Sequence, residues 1–281
     1  GIDHAGDEVA EQRAAGAVDV GPHAGQATSA AEQQRSVGQR SGSYITAEDV
    51  GTSPADMEII AETTRFVAGR TGTSGDPSPH TARGVYRAMQ AAALVRWESD
   101  TLAGRTVALQ GCGNVGYHLA RQLALAGATL IASDIDPAKV RRVVTEFRAT
   151  EAPVDMIHAV GADVFAPCAL GAGLDDRTIP ELTADIVCGG ANNQLLESRH
   201  GRQLADRGVL YVPDYVANAG GVTFGGSIEV LKLSEAETLE RVDAIYATTL
   251  MVLDRARQRG IPPSDAADEL AAERILTGAL G

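Results

Sequence analysis

VALQGCGNVGYHLA, residues 107–120, is the stretch that decides the fold of this chain. It joins an apolar run that reads as a strand to an apolar stripe that reads as a helix, through Gly111-x-Gly113-x-x-Gly116. The first glycine permits a tight turn, the second lets backbone approach a pyrophosphate, and the third lets helix and strand pack closely. A phosphate then meets the helix N-terminus, where unpaired N–H groups and the helix dipole favour negative charge. Such a triplet is weak on its own, but here strand and helix flank it as required. At the end of the next predicted strand stands Asp134. A carboxylate there accepts hydrogen bonds from the adenosine ribose hydroxyls and repels a 2′-phosphate, which favours NAD over NADP. Asp134 could instead cap the helix after Pro137, although Asp136 is better placed for that. Arg141 and Arg142 read as a solvated helix face.

Outward from this stretch the pattern alternates. RTVALQ, ATLIASD, ADVFAP, ADIVCG and GVLYVPD read as strands, and VGYHLARQLALAG, PAKVRRVVTEF and a segment around Arg199 to Arg207 as helices. Strands alternating with helices imply an open, mainly parallel, doubly wound Rossmann-type α/β sheet from about Arg105 to Pro213, with its ligand crevice at the strand C-termini.

Upstream, Tyr44-Ile45 reads as a short strand. Ser53-Pro54-Ala55-Asp56 is a helix start, and the spacing of Met57, Ile60, Thr64 and Val67 predicts one helix ending at Gly69. A second helix is predicted from Thr81 to about Trp97, with Val85, Met89, Ala92 and Ala93 inward. Downstream, Ser234-Glu235-Ala236-Glu237 is a capping box. Leu239, Val242, Ile245, Leu250 and Leu253 then predict a helix stopped by Gly260 and Pro262-Pro263. Ser264 is read as the cap of a last helix through Glu269, Leu270, Ile275 and Leu276. Residues 1–42 are rich in Ala, Gly, Gln and Ser without a sustained period, and are expected to be poorly ordered or loosely packed.

Composition narrows the function. The chain has 281 residues and a formal charge of −13, against the clustered cations that nucleic acid or an anionic membrane requires. No apolar run approaches the roughly 20 residues of a membrane span, and no signal peptide is visible. The three cysteines, Cys112, Cys168 and Cys188, read as buried small thiols in a reducing compartment, so a cytoplasmic protein is expected. The six histidines form no pair or cluster with metal-ligand spacing, so no metal is expected.

Six motifs occur in order: SYITAEDVGTSPADM, SPHTARGVYRAM, GCGNVGYHLA, DVFAPCALG, GANNQL and YVPDYVANAGGV. Together they resemble the Glu/Leu/Phe/Val amino-acid dehydrogenase family, and its leucine and valine dehydrogenases most closely, from about Tyr44 to Ile275. The resemblance implies two domains around a cleft and NAD-dependent oxidative deamination of a branched-chain L-amino acid to its 2-oxo acid and ammonia. It implies that Asp49 handles protons at the substrate amine, that Ala47 lines the pocket for an aliphatic side chain, and that Asn218 contacts substrate. It matches Thr81 to the nicotinamide and Gly111, Cys112, Gly113, Asn114, Val115, Gly116, Asp134 and Ile135 to the pyrophosphate and ribose. Cys168, Ala169, Ala191 and Asn192 match strand ends under the cofactor. The implied organisation is residues 1–42 as an atypical segment, 43–80 as a remnant of the substrate domain, 81–216 as the NAD-binding domain, and 217–281 as helices packing back on the first domain. Homo-oligomers are left open.

One departure stands beside the likeness. The family carries a lysine-bearing glycine-rich motif before the E-D-V-G segment, whereas the lysines of this chain are Lys139 and Lys232. The expectation is a truncated dehydrogenase that turns over amino acids poorly; the alternative is an NAD-binding module or pseudoenzyme without turnover.

Overall fold

A computed structural model describes residues 45–47, 52–71 and 73–277. Six strands form one sheet: β1 (Thr106–Gln110), β2 (Thr129–Ser133), β3 (Thr150–Glu151), β4 (Val164–Pro167), β5 (Ile186–Val187) and β6 (Leu210–Tyr211). Their order is β3-β2-β1-β4-β5-β6 and every neighbouring pair is parallel, as the alternating pattern predicts. The chain winds outward from β1 in both directions, so the crevice lies where β1 and β4 diverge. Register aligns the strand ends there: Gln110 pairs with Ser133 on one side and Pro167 on the other. Gly111, Asp134 and Cys168 therefore leave the sheet at the same level.

Both faces of the sheet are covered, and side chains alternate along each strand. Val107, Leu109, Val164, Ala166 and Ile186 enter one core, while Ala108, Phe165 and Val187 enter the other. The first core is closed by α2 (Ser78–Trp97), α3 (Asn114–Leu125) and α4 (Pro137–Phe147), through Val85, Met89, Leu119, Leu123, Val140 and Val143. The second is closed by a 3₁₀ turn at Ile157–Ala159, by α5 (Thr178–Glu181) and by α6 (Arg199–Asp206), through Ile157, Ile179 and Leu204. A period of two in the strands and 3.6 in the helices is what puts these residues together.

Upstream of the sheet, α1 (Pro54–Ala61) is shorter than its apolar spacing predicts. Its start is as read: Asp56 accepts from Ser53 N at 2.8 Å and Ser53 Oγ at 2.7 Å. Its end is set by two threonines. Thr63 Oγ1 donates to Ile60 O at 3.0 Å and Thr64 Oγ1 accepts from Phe66 N at 3.2 Å, turning the chain before Gly69. Val67 then bridges in parallel to Thr46 and reaches Met57 and Ile60 from a loop. Tyr44, half of the expected strand, lies outside the described residues. Helix α2 begins three residues earlier than predicted because Asp76 accepts from Ser78 N at 2.8 Å.

The carboxyl-terminal helices are α7 (Asp214–Ala217), α8 (Gly220–Glu229), α9 (Glu235–Asp243), α10 (Ile245–Arg259) and α11 (Pro263–Thr277). The single helix predicted after Ser234 is thus two, although Ala244 N donates to Glu240 O and Thr248 N to Ala244 O, both at 3.0 Å, across the junction. Asp243, at the junction, is clamped by Arg83 of α2 through two 2.7 Å hydrogen bonds. Gly260, at φ 65, ends α10. Ser264 is not the cap of α11 but lies in its first turn, where Pro262 O already accepts from Ala266 N at 3.1 Å. Ile275 and Leu276 fall in this last helix as read, and are 74% and 87% exposed.

Helix α2 is the beam against which α3, α8 and α10 lie. Small residues let them approach: a Cβ at Gly84 would sit 2.9 Å from Ala217 O, and one at Gly220 would overlap the His80 carbonyl. Gly69, Thr73 and Ser74 are tied to α8 by one carboxylate. Glu229 Oε1 accepts from Gly69 N at 2.8 Å, Thr73 Oγ1 at 3.0 Å and the Ser74 hydroxyl. Burial raises the Glu229 pKa, and these donors more than offset it, leaving the carboxyl below its usual range.

Candidate functional site

The turn between β1 and α3 is built as its glycines require. Gly111 has φ +94, and a Cβ there would meet Cys168 and Ala169 backbone at 2.8 Å. A Cβ at Gly116 would overlap the Gly111 carbonyl oxygen. Gly113 differs: nothing lies within 4 Å of where its Cβ would be, and as N-cap it offers α3 no side-chain acceptor. The first N–H groups of α3, from Asn114 and Val115, therefore face a space left open beside the backbone. A pyrophosphate fits that space, because it supplies the acceptors the helix start lacks.

Asp134 stands beside this turn. Its carboxylate accepts from Cys112 N at 2.6 Å and from Asp136 N at 2.8 Å, so it ties the glycine turn to the end of β2. Asp136 caps α4 by accepting from Ala138 N at 2.9 Å. Each Asp134 oxygen thus holds one backbone amide and keeps acceptor capacity for a diol. Beyond it, Ile135 is 86% exposed, and Leu170, just past Ala169 at the end of β4, is 81% exposed. Uncovered apolar side chains on both flanks of the turn suit the faces of a planar base. Asp134→Ala is expected to weaken NAD about tenfold and to narrow the gap to NADP, read by calorimetry with both nucleotides.

The far rim is formed by the ends of β5 and β6. Asn218 Nδ2 donates to Asn192 Oδ1 at 2.5 Å and lies 3.4 Å from Gly190 O. Two asparagines distant in sequence thus form one polar edge. Behind them Gln194 Nε2 donates to Gly189 O at 2.9 Å and Ala191 O at 3.0 Å, and Asp214 accepts from Gln194 N at 2.8 Å. Gln194 and Asp214 received no role from the sequence, though both stand inside motifs that carried the resemblance. Gln194 is 1% exposed, and its function as a loop brace becomes visible only once the loop is folded.

Cys168 backs the same rim, accepting from Gly190 N at 3.4 Å. Burial pushes the Cys112 thiol up to about 12 and the Cys168 thiol up to about 11, and raises Cys188 further, so all three remain protonated, weakly nucleophilic thiols near neutral pH. Thr81 sits in the first turn of α2, where its hydroxyl donates to Pro77 O at 3.2 Å and abuts Gly221. Ala47 is exposed. Asp49 lies outside the described residues. Beside the segment that leads to Ala47, a cavity of about 200 Å³ is lined by Ile45, Arg65, Val67, Arg70, Glu229 and Lys232 among others. A larger, mostly apolar groove of about 890 Å³ starts at Tyr215 and Ala219 and runs between α8, α10 and α11. Among the described residues no group of three or more His, Cys, Asp or Glu could hold a metal ion, and no helix is long and apolar enough to cross a membrane.

An all-parallel sheet ordered 3-2-1-4-5-6, with an open glycine turn at its switch point and an acid at the end of the next strand, defines a dinucleotide-binding α/β protein. Comparison with known proteins places it further. Residues 133–278 match the family model for Glutamate/Leucine/Phenylalanine/Valine dehydrogenase. The leucine dehydrogenase of Bacillus cereus is 48% identical over 239 residues, which cover 84% of this chain and 65% of that protein. The valine dehydrogenase of Streptomyces albus is 43% identical over 251 residues, covering 86% of this chain and 68% of that protein. The crystal structure of L-tryptophan dehydrogenase from Nostoc punctiforme superposes with a TM-score of 0.77 at 38% identity, covering 90% of this chain and 73% of that one. The chain belongs to the Glu/Leu/Phe/Val dehydrogenase family. It spans 65% of the length of the leucine dehydrogenases it matches.

Proposed function

We propose that this chain carries the cofactor half, and part of the substrate half, of an NAD-dependent oxidative deamination. The substrate class is an aliphatic L-amino acid, converted to its 2-oxo acid and ammonia. The observation that carries the reading is the shared level of the Gly111 turn, Asp134, Cys168 and the Asn192–Asn218 pair at the C-terminal ends of parallel strands. NAD, when bound, would supply the hydride acceptor. The chain's own residues do the rest. The amides of Asn114 and Val115 would bind the pyrophosphate, and Asp134 the ribose diol. Asn218, oriented by Asn192, would fix a polar group of the substrate. Asp49 would remove protons from the substrate amine, freeing the lone pair that expels hydride from Cα. A small apolar Ala47 favours leucine or valine over a charged side chain. We take residues 81–216 as the cofactor unit and the segments on either side of it as the substrate side of the cleft.

A second reading, a module that holds NAD without turnover, rests on where the lysines of the described residues lie. Lys139 is exposed on α4, and Lys232 lines the small cavity beside Ile45 and Val67. Neither occupies the glycine-rich motif in which the family carries its lysine. One experiment separates the two: calorimetry with NAD, then NADH formation with leucine, valine and phenylalanine at alkaline pH. NAD affinity on the order of micromolar is expected. Steady NADH production supports the enzyme, binding without production supports the module, and no binding by folded protein refutes both.

A further inference from the structure

We propose that His80 is a positioning residue of the cofactor cleft, its imidazole stacked on Phe224 to hold the first turn of α2 against α8. The proposal rests on the dehydrogenase reading above and names a residue that reading does not use. The His80 and Phe224 rings lie 3.4 Å apart between centroids and within 7° of parallel. Among the described residues this is the only ring contact joining α2 to α8. Around it the packing is close: Gly220 lies under His80 O, Gly221 under the Thr81 hydroxyl and, between α2 and α7, Gly84 under Ala217 O. Such glycine contacts set how close the helices come, and the stack adds an aromatic pair that holds them there.

What α2 holds in place is the rim of the cleft. Val85, on α2, presents its carbonyl 3.7 Å from Cys188 Sγ, at the end of β5. A Cβ on Gly190 would meet Val85 Cγ2 at 3.7 Å and Val115 Cγ1 at 2.7 Å, so α2 and α3 close on the loop that carries Asn192. The start of α8 follows Asn218 by two residues. The two asparagines that meet at 2.5 Å therefore hang from two elements, and both elements bear on α2. Loosening the α2–α8 crossing lets that edge spread without disturbing the sheet.

The clamp is sensitive to protonation. Burial depresses the His80 pKa below its ordinary value of 6.5. Glu235 at the start of α9 and Asp76 before α2 oppose the shift, while Arg83 on α2 and His118 on α3 add to it. The folded clamp thus prefers neutral imidazole. Its contribution is complete above pH 6.5 and is lost as pH falls from there through the depressed folded value.

The test compares the unaltered chain with His80→Ala and His80→Phe. NAD affinity is measured by calorimetry near pH 8 and near pH 5.5, and folding is checked by circular dichroism. His80→Ala is expected to weaken NAD by about 3- to 10-fold near pH 8, from the loss of one aromatic pair. His80→Phe keeps a ring over Phe224 without a titrating group. It should restore affinity near pH 8 and reduce the loss on acidification. Should His80→Ala fail to fold, the pH comparison between the unaltered chain and His80→Phe still decides. Unchanged affinity in folded His80→Ala, or a His80→Phe chain with the same acid sensitivity as the unaltered one, overturns the proposal while leaving the dehydrogenase reading intact. An unaltered chain that binds no NAD overturns both.

Discussion

Asp49→Asn is expected to cut NADH formation from leucine or valine by about 10²- to 10⁴-fold, the usual worth of a positioned general base. The substrate amine is an ammonium ion near neutral pH, and it cannot push hydride from Cα until it loses a proton. Asparagine keeps the size and hydrogen-bonding shape of aspartate but cannot accept that proton, so the loss should fall on kcat more than on KM. NAD affinity should stay within about twofold, because the pyrophosphate and ribose contacts proposed above would come from the β1–α3 turn and the end of β2. Stopped assays following absorbance of NADH, with calorimetry on the same preparations, give both numbers. Equal activity in the two proteins would remove Asp49 from the mechanism. A substantial rate abolished by the substitution would support the dehydrogenase reading over the module without turnover.

The second large effect lies in the glycine turn, where the three glycines should fail in different ways. Gly116→Ala drives a methyl group into the Gly111 carbonyl, a backbone atom that cannot swing aside. Overpacking of this kind costs about 1–3 kcal/mol, and the turn must move to relieve it. Both stability and NAD binding should drop. Gly113→Ala meets nothing within 4 Å in the unliganded turn. Its melting temperature should hardly change, yet the methyl group would occupy the space proposed for pyrophosphate, so NAD affinity should fall at least about tenfold. Thermal melts with and without NAD separate the two. If Gly113→Ala bound NAD normally, the pyrophosphate would not lie where this turn places it.

These contrasts mark what could be read in the linear chain. The sheet was legible because period-two apolar runs and a glycine triplet are local signals with one dominant physical cause each. Val107, Leu109 and Gly116 sit where their spacing says. The errors arose where side chains acted on backbone over a few residues. Met57, Ile60, Thr64 and Val67 keep helical spacing, but the Thr63 and Thr64 hydroxyls end the helix and Val67 reaches the same cluster from a loop. Ile275 and Leu276 continue an apolar period into solvent. Spacing reports a face without reporting whether anything covers it.

The candidate site divides along the same line. Sequence alone determined that a glycine turn joins a strand to a helix, that an acid ends the next strand, and that the chain descends with the amino-acid dehydrogenases. Those are properties of short segments, and local chemistry fixes them. Only the tertiary structure decided that Asp134 also anchors Cys112, that Asn192 and Asn218 share one edge, that Gln194 braces it, and that His80 stacks on Phe224. The Asn192–Asn218 and His80–Phe224 pairings cross between elements brought together by the parallel sheet and by α2. Such a contact depends on how the helices and strand ends pack, which no short window of sequence encodes.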